Sequence, residues 1–325
     1  MSPGPHDSRE GLSIATARIA ESVRATVVGQ EAAAEMLLAT YVAGGHALIE
    51  GVPGIAKTLL ARAFSSCLGL RFARVQFTPD LMPSDLIGGN VYDQSSGGFR
   101  LVRGPVFTEV LMADEINRTP PKTQSALLEA MQETQVTIDG TCYPLDGSFF
   151  VIATQNPIEF EGTYPLPEAQ LDRFIARVKM GLPAREAELE IYRRAVAGTL
   201  PGWGGGTALP PPAVSREQAI ALRRGSASVH VAPELLEYLA SLAAAVRGSA
   251  RVEIGISPRG ALALLETARA LALIRGRDFL SPDDLKACLA PCWGHRVLLT
   301  AEAELEGDTP SKLLGEIAGA VAVPR

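Results

Sequence analysis

The octapeptide GVPGIAKT, residues 51–58, narrows the folds open to this chain more than any other stretch. An apolar run at 46–50 leads into it, and a helix-forming run at 59–67 leaves it. A strand, a glycine-bearing loop and a helix, in that order, make a cradle in which backbone N–H groups and the helix N-terminus face an anion. Gly51, Pro53, Gly54 and Ile55 shape the loop, and Leu59 begins the helical run behind it. Lys57 is placed to reach phosphate oxygens, and the Thr58 hydroxyl to ligate Mg²⁺. Ala56 stands where the G-x-x-x-x-G-K-[ST] pattern has its last glycine; a helical φ there would make alanine inexpensive. A tight strand-to-helix turn with an exposed lysine would use the same letters, so the rest of the chain has to decide.

With 325 residues, 47% of them hydrophobic and 20% charged, the chain has room for two cores. Its net charge of −6 argues against a surface built to coat nucleic acid. Cys67, Cys142, Cys288 and Cys292 are scattered without a disulfide framework, which suits a reducing compartment. The polar start MSPGPHDSRE lacks a signal core, and no later run has the length and apolarity of a membrane span. A soluble cytoplasmic protein without membrane insertion is expected.

Five short apolar runs, at 47–50, 72–77, 110–113, 149–153 and 174–180, are separated by helical or hairpin material. Near-continuous apolar character in short strands indicates burial on both faces, as in a parallel sheet covered by helices. Two hairpins interrupt this half, at 89–102 and at 134–145, the second with Asp139-Gly140 at its turn. After a helix at 186–196, a glycine- and proline-rich break at 198–212 precedes helical stretches at 216–224, 233–246, 257–274, 282–289 and 311–320. Ser257-Pro258 and Ser281-Pro282 are helix starts. The division expected is a sheet domain over 1–200 and a helical domain over 201–325.

The run 110–115 is a strand ending in Asp114 and Glu115. Beside a phosphate loop these acids would hold Mg²⁺ and polarise an attacking water; alone, such a pair also serves as a solvated helix cap. The run 149–156 ends in Asn156, which could hold that water or simply open a turn with Pro157. Arg173 precedes the last strand, either as the neutraliser of γ-phosphate charge, in cis or from a neighbouring subunit, or as a helix C-terminal charge. Arg259 lies in the first turn of a helix, where a cation is disfavoured, so an anionic partner such as a nucleotide phosphate is expected there.

Taken together, Val28-Gly29-Gln30, GVPGIAKT, ADEINRTPPKTQSALLEAMQE, ATQNP, PEAQLDRF, SPRGALALLETARALAL and the tail from His295-Arg296-Val297 to Glu306 resemble the MoxR family of AAA+ ATPases over nearly the whole chain. The resemblance implies an αβα sandwich with a five-stranded parallel sheet, a helical lid, and ATP with Mg²⁺ bound between them. It implies a homo-oligomeric ring, usually hexameric. It assigns Lys57, Thr58, Asp114, Glu115 and Asn156 to phosphate, metal, water and sensing. Arg173 becomes the finger offered to the next subunit, Arg259 the lid sensor, and Val28-Gly29 the adenine border. The hairpin at 89–102 corresponds to the insert of the helix-2-insert branch. Similar proteins remodel or mature partner complexes, including by metal-cofactor insertion, and work with partners bearing von Willebrand factor A domains. The other readings are a DNA-dependent motor, with Arg100 and Arg103 on phosphates, and a nucleotide-switched scaffold with little turnover. Cys288, Cys292 and His295 give three clustered soft ligands where a structural zinc takes four, and His46 reads as structural.

Overall fold

Consecutive residues of the central strands point into two different cores, and this alternation builds the domain. The computed structural model describes residues 9–95, 97–157, 162–201 and 209–324; residues 1–8 and much of the break expected at 198–212 lie outside them. Helices α1 (Arg9–Thr26) and α2 (Glu31–Val42) precede β1 (Ala47–Glu50), and α3 (Lys57–Cys67) leads to β2 (Phe72–Gln76). Next come α4 (Pro83–Ile87), the hairpin β3 (Gly88–Asp93) and β4 (Gly98–Arg103), and β5 (Val110–Asp114). Helix α5 (Pro121–Glu133) and the hairpin β6 (Gln135–Ile138) and β7 (Thr141–Pro144) lead to β8 (Phe150–Gln155). A single turn, α6 (Glu168–Leu171), opens into β9 (Ala176–Lys179).

The sheet order is β2-β5-β8-β1-β9, and every pairing is parallel. Ala47, Ile49, Val110, Met112, Phe150 and Ile152 face one core, shared with α2 and α3. Leu48, Leu111, Ala113, Val151 and Ala153 face the other, filled by Leu127, Leu128 and Met131 of α5. The five parallel strands expected from the apolar runs, and the αβα layering that the resemblance implies, are therefore present. Both hairpins are separate two-stranded ribbons rather than additions to the sheet edge. Asp139 (φ 48°) and Gly140 (φ 78°) both have positive φ, as a two-residue type I′ turn requires.

Beyond β9 run α7 (Arg185–Val196), α8 (Arg216–Leu222), α9 (Pro233–Arg247), β10 (Val252–Ile254), α10 (Pro258–Ile274), α11 (Pro282–Trp293), β11 (Leu298–Leu299), α12 (Ala301–Leu305) and α13 (Pro310–Ala320). The helical half is not purely helical, because β10 and β11 form a small antiparallel ribbon. Ser257 caps α10 by accepting from the Gly260 N–H, and Ser281 forms a capping box with Asp284. Helix α11 runs through Pro291 to Trp293 instead of stopping at residue 289. Trp293 supplies the reason: its ring is fully buried and its Nε1–H donates to the Gly260 carbonyl at 2.9 Å. Among the described residues no helix is long and apolar enough to cross a membrane.

Candidate functional site

Parallel strands place all their C-terminal ends on one edge, so loops that follow different strands meet there. The phosphate-loop motif leaves β1 on that edge. Gly51 is needed by close approach, since a Cβ there would lie 2.8 Å from the Met180 carbonyl and collide with the Ile55 side chain. Gly54 (φ +84°) takes the left-handed turn in open space. Ala56 departs from expectation: its φ is 70°, left-handed rather than helical. The pattern's glycine would be unstrained there, whereas alanine sets its Cβ against the backbone. Helix α3 starts at Lys57, whose Nζ donates to the Gly51 carbonyl at 2.7 Å, so the ammonium bridges the mouth of its own loop. Thr58 follows in the first turn. Val28 and Gly29 reach the same edge, because Gln30 Nε2 donates to the Gly181 carbonyl at 2.8 Å and Gly29 packs on Pro183 and Ala187.

The acids end β5 two strands away. Asp114 is buried; its Oδ1 accepts from Thr154 Oγ1 at 2.6 Å and its Oδ2 from Arg74 Nη2 at 2.6 Å. Glu115 has a left-handed φ of 58°, which turns its side chain out of the strand. Its N–H donates to Thr154 Oγ1 at 2.9 Å, and its Oε2 accepts from Gln76 Nε2 at 2.7 Å and Arg118 Nη1 at 3.1 Å. Asn156, also buried, follows β8 between the loop and the acids. Arg74, Gln76 and Thr154 were not picked out from sequence. A signal was present: Arg74 and Gln76 alternate with Ala73 and Val75 in β2, an edge strand with one apolar row.

Arg173 and Arg259 lie elsewhere. Arg173 precedes β9 and therefore sits at the N-terminal ends of the strands. A cavity of about 320 Å³ there is lined by His46, Asp172, Arg173, Arg259 and Arg296. Arg259 does have an anionic partner, but it is the carboxylate of Asp172, with Nε 3.6 Å from Oδ2. The strands therefore lie between Lys57 and both arginines, and within one chain Arg259 faces Asp172 rather than the phosphate loop. His46 is structural: Nε2 donates to the Met131 carbonyl, Nδ1 accepts from the Val151 N–H, and burial pushes its pKa down to about 3. His295 donates to the Phe174 carbonyl, while Cys288 and Cys292 are buried in α11.

The geometry has counterparts. A family model described as "ATPase family associated with various cellular activities (AAA)" matches residues 46–176, and an "AAA lid domain" model matches residues 230–317. The Bacillus subtilis protein YeaC, itself uncharacterized, is 41% identical over 97% of this chain and 97% of its own length. Chaperone MoxR1 of Mycobacterium tuberculosis is 40% identical, covering 93% of this chain and 81% of that protein. A crystal structure from Cytophaga hutchinsonii, 39% identical, superposes with a TM-score of 0.87 over 97% of this chain and 96% of that one. Protein MoxR of Paracoccus denitrificans is 31% identical over 87% of the chain. Sequence and fold agree along nearly the whole length, and the chain belongs to the MoxR family of AAA+ ATPases.

Proposed function

We propose that this protein is an ATP-hydrolysing, chaperone-like remodeller whose reactive centres are each completed by a neighbouring copy in a ring, hexameric by family pattern. The division of one catalytic set between opposite edges of the sheet carries this reading. Lys57 and the loop N–H groups hold the β- and γ-phosphates. Thr58 and Asp114 offer hard oxygen donors of the kind Mg²⁺ takes, and the bound ion would neutralise phosphate charge. Asn156 orients a water, and Glu115 accepts its proton as the oxygen attacks the γ-phosphorus. The bond to the bridging oxygen breaks, and ADP leaves with the electron pair. Arg173 of the adjoining copy, with Arg259 beside it, offsets the charge that builds on the transferred group. Val28 and Gly29 border the adenine.

The relative named Chaperone MoxR1 supports the remodelling role. We extend it to maturation or activation of partner complexes, including insertion of metal cofactors, with a von Willebrand factor A protein as co-worker.

Steady-state phosphate release from Mg–ATP tests the reading and separates it from a non-hydrolysing scaffold. Glu115→Gln should bind ATP and turn over about a hundredfold more slowly. Arg173→Ala should keep its nucleotide affinity and lose about a thousandfold in rate. Equal mixtures of the two should regain activity, because an intact loop then meets an intact finger. Wild-type turnover by dilute Arg173→Ala would disprove the shared centre, and absence of adenine-nucleotide binding would end the proposal.

A further inference from the structure

The segments 172–175 and 292–297 are far apart in sequence, yet the fold locks them together at the N-terminal edge of the sheet. Arg296 follows α11, and its side chain is only 6% exposed. Its guanidinium has five N–H groups, and each has an acceptor. Nε donates to Asp172 Oδ1 at 2.6 Å. Nη2 donates to the carbonyls of Asp172 at 3.0 Å and Phe174 at 2.9 Å. Nη1 donates to the carbonyls of Ile175 at 3.1 Å and Cys292. His295 adds a second bond to the Phe174 carbonyl at 3.0 Å. Four of the five acceptors belong to the residues flanking Arg173, so the backbone that carries this arginine is fixed on both sides.

The same cluster pairs with Arg259, whose side chain is 57% exposed. Asp172 turns its Oδ1 to Arg296 and its Oδ2 to Arg259 Nε, 3.6 Å away. The next residue, Gly260, lies against Arg296, since a Cβ there would be 3.0 Å from Arg296 Cδ. Trp293 holds the Gly260 carbonyl. Two arginines on different halves of the chain are thus tied to one carboxylate and one buried guanidinium.

We propose that Asp172 and Arg296 are positioning residues: they join Arg173 and Arg259 into one rigid pair presented to the neighbouring copy's nucleotide, and so tie the finger's placement to the helical half. This rests on the shared centre proposed above. Its physical basis is the sensitivity of phosphoryl transfer to misplacement of charge, where about 1 Å costs roughly a hundredfold in rate. Asp172 also separates like charges that would otherwise repel across the cavity.

The test uses full-length Asp172→Asn, which keeps side-chain volume and one acceptor, and Arg296→Lys, which keeps the charge but not the five-pronged fork. Each is compared with Arg173→Ala by phosphate release, ATP affinity and thermal unfolding. For Asp172→Asn, kcat should fall about tenfold or more while ATP affinity stays within about threefold. Mixed with Glu115→Gln, it should recover as much activity as the mixture of Arg173→Ala with Glu115→Gln. A merely structural defect would damage the variant's own loop and would not be rescued in trans. Arg296→Lys should follow the same pattern, and if it fails to fold, Asp172→Asn decides. Wild-type kcat in folded Asp172→Asn, or no rescue where Arg173→Ala is rescued, would overturn the positioning role and leave the shared centre standing. If the control mixture of Arg173→Ala with Glu115→Gln were inactive, the shared centre itself would fail and this inference with it.

Discussion

At Ala56 the backbone of the phosphate loop holds φ at 70°, a conformation in which an L-residue is strained by about 1–2 kcal/mol. Glycine would relieve that strain but would give the unfolded chain about 0.4–1 kcal/mol of extra entropy. Ala56→Gly should therefore raise stability by about 0.5 kcal/mol, read as a small upward shift of the unfolding midpoint; a lower midpoint would contradict the strain argument. The deviation of this residue from the motif was legible in sequence, but its φ was not, because identity does not report backbone angle. The place of Asp114 and Glu115 at a strand end was legible because an apolar run, buried on both faces, leads straight into them. Arg74 and Gln76 were harder to see: they earn their contacts by strand order, and only the fold places β2 beside β5.

Elements show the same division. The central strands were readable because both faces are buried, which leaves a nearly unbroken apolar run. The end of α11 was not, since Pro291 signals a stop and the burial of Trp293 overrides it. The β3–β4 hairpin was readable from its glycines, but not its state: Tyr92 and Phe99 face each other across it at 5.5 Å while 55% and 76% exposed. An aromatic cross-strand pair contributes about 0.2–1 kcal/mol. Replacing both by serine should cost no more than that in the midpoint of unfolding and leave ATP affinity unchanged. A loss of several kcal/mol would mean that the ribbon is part of the folding core.

For the molecule as a whole, two imidazoles set an acid limit. His46 and His295 are each held neutral by burial, with Arg223 and Arg296 respectively adding to it, and both titrate at about 3 against 6.5 for an unhindered histidine. The unfolded chain binds these protons first, so stability is full above pH 6.5 and declines as pH falls below it. Between pH 6.5 and 5.5, above the range in which ordinary carboxylates titrate, each histidine should contribute a slope approaching about 1.4 kcal/mol per pH unit. Unfolding midpoints across that interval check this, and His295→Gln should flatten part of the fall. A midpoint indifferent to pH there would show that neither ring stays neutral.

The height of the sheet has one more consequence. If the centre is shared as proposed, a molecule with its socket above the strands and its plug below them needs a neighbour to complete it. Specific activity should therefore climb with protein concentration, faster than in simple proportion at high dilution, and level off once every socket is filled. Constant specific activity from nanomolar to micromolar protein would mean that assembly already saturates at the lowest concentration, or that each copy acts alone; light scattering on the same samples tells the two apart.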